Sequence, residues 1–598
     1  MFRKWLEEND VKEFDYSGVI FEKASNREFW EPKYKKAYVE NAEQYLGFDW
    51  PLIRATDYIA FKAEGNRIKQ ETPHLKKRSA LISLLIGEII EYKGRFIPDI
   101  VDGVYNICEE SFWGVSAHYR HDSHPKLPCG DHYIDLFAAE TGALIAIVLH
   151  VLYDELNNYW PEIVERMEYN LHERMVKPYL NHNNFPWMGT YCRVNNWNPW
   201  ILSNILTVFL LTQQDNPMFY EGIEKMIYQI NNIYKEYHND GGCDEGITYW
   251  SVSGGTIFEF CEQLYLATNG EINFFIDEKI KNIGAYPYKA YIGNNYFVNF
   301  ADGSCKGLPA FKSIYNGYGK RINNFNLCEL AKENFGAQSD TLWSMRTTYT
   351  KRTLNNMIYN DLLNSDSKLN LCEAAVLPDI QNAFSRENKW YYAAKGGHND
   401  ENHNHNDVGS FMVYYDCNPV LIDPGCGDYT KKTFSPQRYE IWTMRSEWHN
   451  TPVINGKQQL AGREYCADDF SYENKKCTVS FAKAYEKGSN LNKLTREISI
   501  TENGIEIADA FIFDSCNNTV AEHFITPLEV EIKGNSVVIG GEFLFFADCE
   551  MEISVQKQTI SGDEKLTLAW NKDSLNRIIF KNTFGDKKNI KFSLKKSV

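Results

Sequence analysis

A chain of 598 residues exceeds what one ordinary hydrophobic core supports, and 43% hydrophobic with 14% aromatic content is enough to fill two or more. A net charge of −17 argues against a nucleic-acid or membrane-surface binder, since such proteins carry an excess of Lys and Arg; an acidic ligand would need basic residues gathered locally. The 14 cysteines are scattered with no CxxC, which predicts free thiols in a reducing compartment and not a disulfide framework.

The N-terminal run MFRKWLEENDVKEFDYSG has no apolar signal-peptide core. The longest apolar run, Ala143 to Tyr153, is too short for a bilayer and is interrupted by His150. The expectation is a cytoplasmic protein. The 37 Tyr and 14 Trp suit a cleft whose aromatic faces stack on sugar rings, although filling a core is their commoner use.

Residues 1–345 read as helical. Apolar residues at three- and four-residue spacing predict helices over Ser79–Tyr92, Ile134–Leu156, Trp200–Leu211, Phe219–Tyr237 and Thr256–Thr268, packed as hairpins. The aromatic and basic stretch Trp113, His118, Arg120, His121, His124 and Lys126 would either line sugar subsites or form a solvated loop. At the mouth of one helix stands Arg193-Val194-Asn195-Asn196-Trp197-Asn198-Pro199-Trp200. Asn198 before Pro199 reads as an N-cap, and Asn195 and Asn196 are not needed for capping. A Gly-rich acidic loop, Asn239 to Trp250, enters another helix, where the plain reading buries Trp250 and leaves Tyr249 at the surface.

A polar connecting region, 346–382, precedes a change of period. Over 383–598 strand-length segments follow one another: Trp390–Ala394, Gly409–Tyr415, Pro419–Ile422, Thr478–Ala484, Arg496–Ile500, Gly504–Phe513, Val520–Ile525, Leu528–Ile532, Ser536–Ile539, Met551–Val555 and Lys565–Trp570. Turn signals between them predict an antiparallel β-sandwich, so the fold class is multidomain α+β. Within this part, His403, Asn404, His405, Asn406 and Asp407 alternate polar groups, which on an extended segment puts His403 and His405 on one face. Asp423 in LIDPG and His449 in EWHN add further donors. Histidine and aspartate brought together by strands are ligands of the kind Zn²⁺ prefers, and a hydrogen-bonded surface pair is the alternative.

The ordered run GGHNDENHNHNDVGSF, then VLIDPG, then WHN, resembles the signature region of the heparinase II/III-like polysaccharide lyases. The resemblance implies an incomplete (α/α) toroid followed by an antiparallel β-sandwich over nearly the whole chain. It implies a catalytic His403 and a structural zinc held by His405, Asp423 and His449. It also implies that Asn196, with Asn195 second, hydrogen-bonds a uronate carboxylate. Tyr249 matches the acid and base of a D-x-x-x-x-E-G-x-x-Y loop. Arg193, Trp197, Asn198 and Glu245 flank these positions as substrate-binding candidates. Trp197 stands where several relatives have His.

The implied reaction is β-elimination: a base removes the C5 proton of a uronate, donors neutralise its carboxylate, and an acid protonates the leaving O4. Tyr249 would take both roles on one sugar face, with His403 the base for the opposite C5 configuration. A tyrosine base needs a nearby positive charge, for which Arg193, Arg346 and Arg445 are candidates. The substrates implied are glycosaminoglycans such as hyaluronan, chondroitin or heparan sulfate, with alginate as the alternative, met as an imported oligosaccharide or as a polymer reached after some unusual release. Two rival classes are a zinc-dependent glycan hydrolase, using an open position on the metal, and a non-catalytic carbohydrate binder.

Overall fold

The structure, a computed structural model, describes residues 1–119, 132–307, 312–333, 349–359, 368–430, 432–433 and 435–597. The chain packs into two compact units: Met1–Tyr237, Ser251–Gly284 and Pro309–Lys368 form the first, and His238–Trp250, Ala285–Leu308 and Leu369–Val598 the second. Residues 238–250 and 285–308, which lie in sequence among the helices, therefore pack with the strands. The helix Thr350–Tyr359, inside the stretch expected to be a connection, belongs to the helical unit.

In the first unit the sequence sorts helices into inner and outer layers. Leu136–Val151 and Trp197–Thr212 are apolar around most of their circumference, are buried along nearly their whole length, and pack on each other. Phe219–Glu236, Ile97–Cys108 and Pro161–Leu171 bury one face only. The long helix expected over Ile134–Leu156 breaks at Leu152, where the axis turns by 79° into Tyr153–Tyr159. Among the described residues no single helix is long and apolar enough to cross a membrane. Every cysteine among them is a free thiol.

In the second unit all named strand pairs are antiparallel. Among the described residues the larger sheets have eight, four and five strands. Their inner faces meet in one core that includes Tyr392, Phe411, Phe481, Phe511, Phe524, Phe580 and Phe592. One expectation fails: Lys565–Trp570 is not a strand but part of the helix Glu564–Trp570. Asp563 caps it by accepting from Leu566 N at 3.0 Å, and Leu566 and Trp570, four residues apart, are buried while Leu568 is 69% exposed. The burial follows the helical period, and the cap selects it over the strand-like alternation of LTLAW.

Arg496, on the strand Leu491–Thr501, lies fully buried within this core. Its Nε and Nη2 bind the two oxygens of Asp509 at 2.8 and 2.6 Å, Nη2 also reaches Glu522 at 3.0 Å, and Nη1 donates to the carbonyl of Gly409 at 3.0 Å. The guanidinium thus balances the buried Asp509 carboxylate, while burial and the Asp509 charge push the Glu522 carboxyl well up, and it ties the sheet to the chain leaving the histidine-rich loop. Arg496→Met leaves the buried Asp509 carboxylate without its countercharge, and is expected to lower the unfolding free energy by about 3–5 kcal/mol in urea denaturation.

Candidate active site

The loop carrying Tyr249 is fixed by short-range chemistry. Asp379 N donates to Asp240 Oδ2 at 2.7 Å while Asn239 N donates to Asp379 Oδ2 at 2.8 Å, clamping the loop's start. Gly246 has φ +87°, and a Cβ there would lie 2.7 Å from the carbonyl oxygen of Phe300, so the loop and residues 299–304 touch backbone to backbone. Ser304 N donates to Thr248 Oγ1 at 2.8 Å. One helical turn, Ile247–Trp250, then buries Ile247 and Trp250 and turns Tyr249 towards the histidine loop.

Residues 403–407 lie between strands, but the backbone there is not extended throughout. His403 has φ 56°, in the left-handed region, at the end of the turn 402–403, and residues 404–407 run on irregularly to the turn 408–409. Arg438 Nε holds the carbonyl of Asn404 at 2.8 Å, and Asn404 Nδ2 donates to the Tyr439 hydroxyl at 3.0 Å. Below the loop, buried Lys395 binds Asp407 at 2.7 Å and Glu401 at 3.1 Å. Burial pushes Glu401 up to about 7, against the pull of Lys395.

His403 and His405 nonetheless converge, because both reach one carboxylate. His403 Nδ1 donates to Asp302 Oδ2 at 2.7 Å, and His405 Nε2 to Asp302 Oδ1 at 2.9 Å. Tyr429 Oη adds a bond to Oδ2 at 2.9 Å and Arg438 Nη2 one to Oδ1 at 3.0 Å. Asp302 is fully buried; burial alone would raise its pKa, but the two histidine bonds and the Arg438 charge hold it far below the usual carboxylate range.

Above this carboxylate the Tyr249 ring stacks on His403, with centroids 4.0 Å apart and planes at 29°. The Tyr249 and Tyr429 hydroxyls are 2.6 Å apart. Tyr429 spends its proton on Asp302, so Tyr249 is the donor of that short bond. Burial, helped by the Asp302 charge, pushes the Tyr249 phenol well above its ordinary value. Glu245, also buried, places Oε2 3.8 Å from His403 Nε2.

Of the cations expected to activate Tyr249, Arg445 is engaged by Glu447 at 2.6 Å, and Arg346 lies outside the described residues, as do Arg120, His121, His124 and Lys126. Asp302, Tyr429 and Arg438 escape a reading by motif: each is an ordinary turn or loop residue in sequence, brought in by chain segments far apart.

The residues Arg193 to Trp200 lie on the helical unit. The helix begins at Trp197 with Asn196 at its N-cap position, so Asn198 is not the cap: it is fully buried inside the first turn, donating to the carbonyl of Trp187 at 3.1 Å. Asn195 instead supports the turn by accepting from Trp197 N at 3.1 Å. Arg193 and Asn195 are exposed, and Asn196 and Trp197 half-buried. His118 packs at 4.5 Å from Trp197, its Nδ1 held by Asp135 at 3.0 Å. Trp113 is buried, its Nε1 bound to the carbonyl of Ile107.

His405, Asp423 and His449 are fully buried and offer ligand atoms within 4.8 Å of one another. The donor set fits a zinc ion. His405 Nδ1 is buried with no hydrogen-bond partner among the described residues, an arrangement costly for a polar atom unless something binds it. His449 Nδ1 lies 2.9 Å from Asp423 Oδ2, while the outer nitrogens are held, His405 Nε2 by Asp302 and His449 Nε2 by the carbonyl of Thr443 at 2.9 Å. Outer bonds of this kind orient ligating histidines.

Residues 377–524 match the family described as Heparinase II/III-like, C-terminal. No curated protein sequence matches the chain. Similar solved structures include heparinase III, at 13% identity over 100% of this chain and 89% of that one, TM-score 0.65. Heparan sulfate lyase HepC from Pedobacter heparinus is similar at 12% identity over 100% and 87%, TM-score 0.60. Chondroitin AC lyase of Streptomyces coelicolor A3, in complex with chondroitin sulphate, is similar at 8% identity over 94% and 83%, TM-score 0.53.

Because the Tyr249 loop depends on Gly246, Gly246→Ala is expected to cost about 1–3 kcal/mol in thermal or urea unfolding. Residues 377–524 are thus of the heparinase II/III-like C-terminal type, and the chain as a whole has the fold of these lyases, an incomplete (α/α) toroid followed by an antiparallel β-sandwich.

Proposed function

We propose that the protein is a polysaccharide lyase that cleaves a uronate-containing glycosaminoglycan by β-elimination. The observation that carries this reading is the Tyr249–His403 pair, two proton-transfer groups stacked at 4.0 Å, with His403 Nδ1 bound to a buried carboxylate. A carboxylate accepts only, so Nδ1 bears the ring proton and the lone pair is on Nε2, the atom of a base. Tyr249 is kept neutral by its surroundings, which suits an acid.

In the reaction His403 Nε2 takes the C5 proton of the uronate. The C5–H electrons become the C4–C5 double bond, the C4–O4 bond breaks, and O4 takes the phenolic proton of Tyr249. The imidazolium so formed has Asp302 on one side and Glu245 on the other. Asn196, on the helical unit, is the donor assigned to the uronate carboxylate, whose developing negative charge must be met for the weakly acidic C5–H to ionise. His405, Asp423 and His449 would hold a zinc ion that braces the loop bearing His403. Their complete burial favours this bracing role over a hydrolytic metal that substrate must reach. The similarity to heparan sulfate and chondroitin AC lyases supports a glycosaminoglycan substrate above alginate.

Incubation with heparan sulfate, chondroitin sulfate, hyaluronan and alginate is expected to raise ultraviolet absorbance from a 4,5-unsaturated uronate on at least one of the first three. Tyr249→Phe should lower that rate by about 10²–10⁴-fold. Saturated reducing ends that vanish on chelation would instead identify a zinc hydrolase.

The acid role also fixes a pH dependence. Tyr249 must be protonated to act, and its pKa is raised, so kcat should show no alkaline loss below the ordinary tyrosine value of about 10. A tyrosine base would give the opposite sign, a rate climbing towards that value.

A further inference from the structure

Asp302 lies within hydrogen-bond distance of both histidines of the HNH unit and of the tyrosine that meets Tyr249. Its bonds lead to both proton-transfer residues, to His403 directly and to Tyr249 through Tyr429. We propose that Asp302 is a positioning residue for the elimination, setting the tautomer of His403 directly and the hydrogen-bond direction of Tyr249 through Tyr429.

The argument is one of donors and acceptors. An ionised carboxylate has no proton to give, so each of its four neighbours must point a hydrogen at it. For His403 this places the proton on Nδ1 and the lone pair on Nε2. Tyr429 must turn its own hydroxyl hydrogen to Oδ2, so across the 2.6 Å contact it accepts from Tyr249, which therefore keeps its proton until substrate arrives. Arg438 and His405 both occupy Oδ1 and leave Oδ2 to His403 and Tyr429.

The backbone is built for this placement. Ala301, just before Asp302, has φ 59°, and Asn299 Nδ2 anchors the same turn to the carbonyl of Asp423 at 3.1 Å. The turn is thus held against Asp423, itself one of the metal-type ligands, and its carboxylate cannot swing away without breaking four bonds.

The inference rests on the reading of His403 as the base, and selective ¹⁵N-histidine labelling tests it apart from activity. In the wild type the His403 resonances, assigned by their loss in His403→Gln, should report a proton on Nδ1 and a bare Nε2. A proton found on Nε2 instead overturns the proposal without any variant having to fold. In Asp302→Asn the side-chain amide can donate, and His403 is expected to shift to the Nε2-protonated tautomer. With it kcat should fall by about 10²–10⁴-fold and KM by no more than a few-fold, the pattern of a misplaced proton. Tyr429→Phe should leave the His403 resonances in place and still lower kcat, because only the Tyr249 branch is lost. Asp302→Asn that keeps the wild-type tautomer and kcat overturns the proposal while leaving the lyase reading intact. A wild type that produces no unsaturated uronate from any polymer overturns the lyase reading itself.

Discussion

A single buried negative charge imposes the most on this site. Taking a carboxylate out of water costs several kcal/mol unless hydrogen bonds and opposite charge replace the lost solvation, and Asp302 finds that replacement in His403, His405, Tyr429 and Arg438. Those residues come from two separate loops, and Asp302 from a third. Each loop is irregular and would have no reason to hold one shape by itself. The carboxylate gives them a common partner, and the left-handed backbone at Ala301 and His403 is the local strain that this convergence sustains.

The rest of the second unit serves to deliver those loops. Asn450 shows how: its amide donates to the carbonyl of Ile422 at 3.1 Å and its oxygen accepts from Ile525 N at 2.8 Å, so the turn after His449 is stitched between two strands. Asp423 follows directly from one of them. The metal-type ligands are therefore placed by sheet register and the loop bearing His403 by the carboxylate, and His405 belongs to both systems.

Much of this was legible in sequence. Apolar periodicity located the inner helices and most strands, since burial on one or all faces leaves a pattern independent of tertiary detail. The ordered His, Asn and Asp run pointed to the cluster. What the pattern could not give was geometry decided by partners remote in the chain. His403 and His405 share a target because Asp302 draws them, not because a strand alternates them. Asn198 looks like a cap until the buried carbonyl of Trp187 claims it, and Lys565–Trp570 alternates like a strand until the Asp563 cap starts a helix. The segment 238–250 reads as part of the helical domain, yet its clamp to Asp379 and its contact with Phe300 make it part of the other unit.

In the proposed elimination, the division of labour between acid and base follows from the same charge. A negative group beside two tyrosines opposes phenolate formation, so a site organised around Asp302 is poorly suited to a tyrosine that must ionise before it reacts. It is well suited to a histidine that must become cationic, because the charge that penalises the phenolate stabilises the imidazolium. Glu245 adds to that preference from the other side of the ring. For the proposed elimination the electrostatics thus favour His403 as the group that gains a proton and Tyr249 as the one that gives a proton up, and they do so before any substrate carboxylate enters to add its own negative charge.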